Sequence, residues 1–263
     1  MFKLDSRLEI TTVSKCVIDC SYCPQQVFQE AYHGCRTLSL ENFKKALLSV
    51  PKNVTIHFSG FSEPFLNPEC IDMIEYAHST GYKIVIFSTL VGLKSENVKR
   101  LQICNPEEFV LHLPDNKDNA KIPITETYKD TLVTALKLLR VSYFSVMNDL
   151  FISNERAGLC LNIPKRRVHG WFYCTKLVSP QFVMLPNCDV VLCCMDFGLK
   201  HRLGNLLEQS FMDIVNSKEY KRVRDGRFKT RVGIICRKCM WAVPLYRWYG
   251  RRVLVLFKIL PST

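Results

Sequence analysis

Short apolar runs alternate with longer segments whose apolar residues recur at helical spacing, and this alternation fills the first 150 residues. Leu8 to Val13 reads as a first strand, Val54 to Phe58 as a second and Lys83 to Ser88 as a third. Phe109 to Leu113 and Tyr143 to Met147 supply a fourth and a fifth. Between them, Ser39 caps a helix running through Val50, with Phe43, Leu47 and Leu48 at helical intervals. Asn67-Pro68 has the form of an N-cap with proline at the first helical position, and Gly81 stands at the expected C′ site. Ser95 to Ile103 and Thr125 to Leu139 read as two further helices. Repeated strand–helix units predict a parallel sheet with its functional loops at the carboxyl ends of the strands.

The pattern changes after Asn148. Residues 148 to 173 read as a connection carrying Asn154-Glu155-Arg156-Ala157-Gly158. Phe182 to Leu185 and Val190 to Leu192 suggest a hairpin, a helix follows around Phe211 to Asn216, and Cys236-Arg237-Lys238-Cys239 closes the unit. The expected architecture is α/β: a partial (β/α) barrel of five to six parallel strands over residues 1–150, then a connection over 151–173. A small cysteine-rich hairpin–helix appendix follows over 174–245. The tail, 246–263, is basic and then apolar; it docks on the core or makes peripheral contact with a membrane surface.

The chain has 263 residues, 48% of them hydrophobic and 23% charged, ample for a core of this size. No apolar stretch approaches the ~18 residues that span a bilayer. The first residues lack the apolar run of a signal peptide, so a cytoplasmic protein is expected. Thirteen cysteines, an odd number, then point to metal ligation or redox chemistry before a disulfide framework. The net charge of +12 gathers in the last third, from Lys221 to Arg252. A basic surface of this kind attracts an anion, whether phosphorylated metabolite, nucleic acid or acidic lipid, or is simply a solvated face. Aromatic residues interleave there (Tyr220, Phe228, Trp241, Tyr246, Trp248, Tyr249), but no recognised nucleic-acid module covers them.

Cys16, Cys20 and Cys23 lie within eight residues, just after the first strand. Three thiolates at that spacing hold three corners of a cubane iron–sulfur cluster, and no fourth cysteine follows at the spacing of the bacterial ferredoxin run. An iron without a protein ligand is open to a small molecule. Zinc is the competing occupant, with His33 or Cys35 as fourth ligand. The C-x₃-C-x₂-C run, its aromatic residue before the last cysteine and its place after the first strand resemble the radical SAM superfamily. That resemblance implies a [4Fe–4S] cluster whose fourth iron chelates S-adenosylmethionine, which is cleaved to a 5′-deoxyadenosyl radical. Ser59-Gly60-Phe61-Ser62-Glu63-Pro64 is similar to the family's G-x-G-E-P segment, with Ser62 in place of a glycine. By resemblance, Gly60, Ser62 and Glu63 bind the methionine ammonium. Ser88-Thr89-Leu90 occupies the place of the family's T-N-G, and Ser88 offers a hydroxyl to the cofactor. Tyr22 falls where relatives place an aromatic residue near the adenine; otherwise it is a loop-packing tyrosine. Arg156 resembles the R-A-G segment and would pair with a carboxylate of cofactor or substrate, or form a surface salt bridge. His112 and Asp115 end the fourth strand, and His112 joins Arg156 as a catalytic candidate.

Cys174, Cys193, Cys236 and Cys239 resemble the SPASM/twitch appendix of radical SAM enzymes, here with Cys188 in the place of a glycine and with Cys193-Cys194-x-Asp196 following. The resemblance implies an auxiliary [4Fe–4S] cluster with four thiolates, with Cys194 the alternative to Cys193; a zinc ribbon is the structural competitor. The reaction implied is oxidation (dehydrogenation) or epimerisation of a small substrate, a sugar or aminocyclitol, and the basic excess suggests one that bears an anionic group. An electron donor such as flavodoxin or ferredoxin would reduce the cluster. A thiol donating hydrogen would come from Cys35, Cys70, Cys104, Cys160, Cys188 or Cys194. Radical modification of a peptide or RNA, and a non-enzymatic zinc-binding module, are the competing classes.

Overall fold

The structure is a computed structural model, which describes residues 6–147, 156–160, 167–229 and 232–256. Eight strands form one sheet in the order β5-β4-β3-β2-β1-β7-β8-β9. The first five are β1 (Arg7–Ile10), β2 (Thr55–Phe58), β3 (Ile84–Ser88), β4 (Glu108–Leu113) and β5 (Tyr143–Val146), each parallel to the one before. Helices α2 (Leu40–Leu47), α3 (Cys70–Ser79), α4 (Ser95–Cys104) and α5 (Glu126–Leu138) make the crossovers. Strands β1 to β4 bury their outward side chains under the helices, which is why they read as apolar runs, whereas the edge strand β5 leaves Tyr143, Phe144 and Val146 exposed. Leu8, Ile10, Ile56, Phe58, Ile86, Phe109 and Leu111 are all fully buried there.

β7 (Gln181–Met184) lies parallel to β1 on the side away from β2, pairing Arg7 with Gln181 and Ile10 with Met184. The chain then turns back through β8 (Asp189–Val191) and β9 (Arg202–Asn205), both antiparallel to their neighbours. The barrel therefore has six parallel strands, within the five to six expected, and the cysteine-rich hairpin extends its sheet directly. A two-stranded ribbon of β6 (Phe172–Tyr173) and β10 (Val243–Pro244) flanks it, with the short helix α6 (Thr175–Val178) between.

Local chemistry sets the helix starts. Ser39, Thr125 and Ser217 each accept the backbone N–H three residues on, and Ser210 forms a full capping box with Asp213. These caps open α2, α5, α8 (Lys218–Gly226) and α7 (Phe211–Val215). One expectation fails: α3 begins at Cys70, with Glu69 at its N-cap, not at Asn67-Pro68. The Asn67 side chain is instead buried, donating to the carbonyls of Thr12 and Leu38 at 3.1 and 2.8 Å and accepting from the Glu69 N–H at 2.9 Å. It ties the end of β1 to its neighbours, beside the cysteine loop. Gly81 does follow α3 at φ +83°, as the C′ reading requires. The tail folds as α9 (Leu245–Leu256) against the ribbon, with Trp248 stacked on Tyr173 at 4.6 Å. Among the described residues no helix is long and apolar enough to cross a membrane.

Candidate active site and cysteine chamber

A cavity of about 520 Å³, within the range of small-molecule sites, opens at the carboxyl ends of β1 to β5. Cys16, Cys20 and Cys23 line one wall together with Tyr22. Backbone bonds fix their loop from several sides. Ser14 N–H donates to Arg36 and Ser21 N–H to Asn119, both at 2.8 Å, while Cys20 bridges to Ala120. Asp115 does not reach the cavity; its carboxylate accepts the N–H and side-chain amide of Asn119 and so shapes the segment that receives Ser21. His33 and Cys35, the candidates for a fourth zinc ligand, are exposed and outside the lining.

The three thiols crowd one another. Burial first, and then the neighbouring thiols Cys16 for Cys20 and both others for Cys23, push Cys20 up to about 11 and Cys23 up to about 12; Cys16 is raised too. Thiolates in such a place need a cationic centre to hold them. The all-sulfur donor set fits an iron–sulfur group, and Arg156 is the protein's own cation facing it.

The second wall is the loop after β2. Gly60 stands at φ +86° against the Thr11 side chain, so no other residue fits there without displacement. Ser62 donates to the Val13 carbonyl at 2.7 Å, and Thr12 to the Pro64 carbonyl at 2.8 Å, locking this loop to the cysteine loop. Glu63 is buried, and its carboxylate accepts from Ser88 Oγ at 2.6 Å and from both the N–H and Oγ1 of Thr89 at 2.8 Å. Burial nonetheless raises its pKa. Ser88 itself does not line the cavity: fully buried, it donates to Glu63 and accepts from the Leu90 N–H, and Thr89 is the hydroxyl that lines it.

Arg156 and His112 do line the cavity. Arg156 and Ala157 hold φ values of 44° and 56° before Gly158 at 80°, a left-handed run that aims the guanidinium over the Phe197 ring at 5.6 Å. Asn154 and Glu155 lie outside the described residues. Burial, then Arg156, lowers His112 to about 4, and burial, then Arg7, lowers His57 to about 3, so both rings are neutral near pH 7. His57, Phe87 and His112 stack across β2, β3 and β4 with centroids 5.9 and 6.1 Å apart.

Sequence reasoning missed the floor. Glu9, on β1, shares it with Lys176, Gln181 and Cys194. Burial raises the Glu9 pKa, against hydrogen bonds from Cys194 and Ser59 and the charges of Lys176 and Arg156. Glu9 was the one acidic residue in a strand otherwise apolar at alternate positions, a signal present in Leu8-Glu9-Ile10.

Cys174, Cys193, Cys236 and Cys239 line a second, smaller chamber with Leu177, Leu192, Met195 and Trp241. Each of Cys174, Cys193 and Cys236 is raised by burial first, and Cys193 and Cys236 also by their neighbouring thiols. Cys194 lines the main cavity instead. Among the described residues no group of three His, Cys, Asp or Glu side chains converges on a single metal ion; both cysteine sets line chambers. Three devices frame the second chamber. Asp196 accepts the backbone N–H groups of Lys200 and His201 at 2.9 and 2.8 Å, closing the loop after Cys193. His201, buried, accepts the Ile235 N–H on Nε2 at 3.2 Å and so donates from Nδ1 to Glu219 at 2.7 Å, tying α8 to the Cys236 arm. Arg237 donates to the carbonyls of Val168, Gly170, Gly226 and Lys229.

Residues 174–240 match the SPASM iron–sulfur cluster-binding domain. The whole chain is similar to BtrN solved in complex with AdoMet and 2-DOIA, at 20% identity and a TM-score of 0.65, covering 92% of this chain and 94% of that one. It is also similar to anSMEcpe with bound AdoMet, at 14% identity and TM-score 0.57, covering 89% and 86%. A third similarity is to Streptococcus suis SuiB bound to precursor peptide SuiA, at 13% identity and TM-score 0.56, covering 90% and 70%. No curated protein matches the chain. The chain has the fold of these solved proteins, two of which hold AdoMet, together with a SPASM-type cluster-binding region.

Proposed function

We propose that this protein is a radical SAM enzyme that oxidises a hydroxyl-bearing carbon of a small polar substrate, a sugar or aminocyclitol. One observation carries the reading: Cys16, Cys20 and Cys23, the Gly60–Glu63 loop and Arg156 surround one cavity, and four further cysteines line a separate chamber beside it. When bound, the first cluster and S-adenosylmethionine together supply a 5′-deoxyadenosyl radical, strong enough to remove hydrogen from an unactivated C–H bond. Cys16, Cys20 and Cys23 would hold that cluster, and Cys174, Cys193, Cys236 and Cys239 the auxiliary one. Gly60 and Ser62 would receive the methionine ammonium, with Tyr22 toward the adenine and Arg156 toward a carboxylate. Glu63, engaged with Ser88 and Thr89, holds the loop in shape. The floor suits hydroxyl groups because it alternates acceptor and donor: the Glu9 carboxylate, the Lys176 ammonium and the Gln181 amide. Glu9 is placed to take the substrate hydroxyl proton as the carbonyl forms, and the auxiliary cluster at the four cysteines would supply an acceptor for the remaining electron. Arg7, Lys176 and Arg156 outnumber Glu9 and Glu63 in the cavity lining, a small cationic excess consistent with an anionic substituent. A reduced flavodoxin or ferredoxin would be the electron donor.

A second reading, epimerisation, draws on Cys194, the one cysteine in the cavity lining besides the three of the loop. The test is anaerobic reconstitution, reduction with dithionite and addition of S-adenosylmethionine with ring-deuterated cyclitols and sugars. Expected are a changed cluster spectrum on adding S-adenosylmethionine, deuterium in 5′-deoxyadenosine and a ketone product. A recovered alcohol of inverted configuration, its ring deuterium replaced by solvent hydrogen, would select epimerisation. Turnover of a peptide and of no cyclitol would change the substrate class, and a spectrum indifferent to S-adenosylmethionine would overturn the proposal.

A further inference from the structure

Lys176 is the one described residue that lines both chambers. It follows Cys174 by two residues on α6, and its ammonium donates to the Gln181 side chain and lies 5.7 Å from the centre of the Trp241 ring. On the main-cavity side it faces Glu9 and hydrogen-bonds Cys194; on the other side it faces Cys193. A fixed charge has most effect where water is excluded, because the local dielectric is low. Reduction potentials of iron–sulfur groups respond to net charge, to hydrogen bonds at the sulfurs and to burial.

We infer that Lys176 is a positioning residue that raises the reduction potential of the cluster held by Cys174, Cys193, Cys236 and Cys239, and that Glu9 opposes it across the wall between the two chambers. A positive charge beside the cluster stabilises its reduced form, and the Glu9 carboxylate offsets part of that charge. The state of the main cavity is thereby felt by the auxiliary cluster: a substrate group that engages Glu9 releases the ammonium's influence toward Cys193. This rests on the reading of the four cysteines as cluster ligands.

The experiment is a redox titration followed by electron paramagnetic resonance on reconstituted full-length chain carrying Cys16→Ala, Cys20→Ala and Cys23→Ala, so that only the auxiliary cluster gives a signal. Lys176→Met should lower the reduced-to-oxidised ratio at fixed potential at least tenfold, a shift of about 59 mV for a one-electron couple. Glu9→Gln should move the potential in the opposite direction, and Lys176→Arg should stay near the parent. Opposite signs separate an electrostatic effect from general loosening of the chamber, and Glu9→Gln and Lys176→Arg keep the test decisive should Lys176→Met lose iron. Parent and variants titrating together, or Glu9→Gln moving the same way as Lys176→Met, would overturn the inference. A background protein with no iron or sulfide would overturn the cluster assignment itself.

Discussion

Arg237 sits between two of the candidate cluster ligands, and replacing it should loosen that arm more than any surface change. It is 5% exposed, and its guanidinium donates to the Val168, Gly170 and Gly226 carbonyls at 3.2, 2.9 and 3.0 Å and to Lys229 as well. It also lies over the Phe172 ring at 5.2 Å. In Arg237→Met the cation over Phe172 is lost and four carbonyls lose a charged donor. Each such bond contributes about 1.5–3 kcal/mol, and the losses do not add because water reaches some of the freed carbonyls. A buried carbonyl left without its donor costs about 1–3 kcal/mol, so with some of the four rehydrated the total is about 3–5 kcal/mol. At roughly 2–4 °C per kcal/mol for a chain of this size, the apoprotein should melt roughly 6–20 °C lower. Arg237→Lys, a point donor in place of a planar fork, should recover less than half of the loss. The assay is thermal unfolding of reduced apoprotein by circular dichroism, paired with iron retention after reconstitution. An Arg237→Met protein melting within about 2 °C of the parent would show that the carbonyls are satisfied without the guanidinium, and the reasoning would fail.

Replacing Cys16, Cys20 and Cys23 together with alanine should leave about half the iron and abolish any spectral response to S-adenosylmethionine; full iron retention would contradict the two-cluster assignment. Gly60→Ala places a methyl group against Thr11 at φ +86°, so S-adenosylmethionine binding, measured by calorimetry on reconstituted protein, should weaken at least tenfold; unchanged affinity would remove the loop from the site. Glu219 is held down to about 2 from 4.5, by the Arg222 guanidinium first and by His201 as well, and so contributes stability above pH 4.5 that is lost as pH falls toward 2. The melting-temperature gap between parent and Glu219→Gln apoprotein should therefore be open at pH 7 and close across that window; a gap constant with pH would contradict the assignment.

The barrel was legible because strands β1 to β4 are buried on their outer faces and two of its helices, α2 and α5, carry side-chain caps that sequence displays directly, at Ser39 and Thr125. Two of the elements that escaped detection lack those marks. Helix α1 (Gln25–Ala31) follows Pro24 without a side-chain cap and buries only Phe28. Strand β9 carries Gly204, whose backbone is nearly extended, and opens on an exposed arginine. Helix α8 did carry a signal, Ser217 with Tyr220 and Val223 on one buried stripe, beneath a dense run of charge. The pairing of β7 with β1 joins segments about 170 residues apart, and periodicity holds no information about which edge a later strand takes. Site residues divided the same way. Cysteines announced themselves by spacing, whereas Glu9 and Lys176 meet only through that long-range pairing.

Three places where the chain departs from the patterns it resembles show what glycine was doing in each. Cys188 stands in a glycine position and keeps φ at +65°, and Leu90 stands in another and keeps +67°. Both backbones stay left-handed, a strain of about 1–3 kcal/mol apiece. Both side chains are buried, Leu90 at 1% and Cys188 at 0% exposure, and burial of a leucine returns about 1.5–3 kcal/mol, enough to offset the strain there. Ser62 differs: its backbone has no positive φ, so glycine was not required for conformation, and its hydroxyl gains the 2.7 Å bond to Val13. The turn geometry at the first two positions is therefore imposed by the surrounding fold, not by the residue that occupies them. At the third, a side chain has replaced open space with a direct clamp between the two loops that face the cavity.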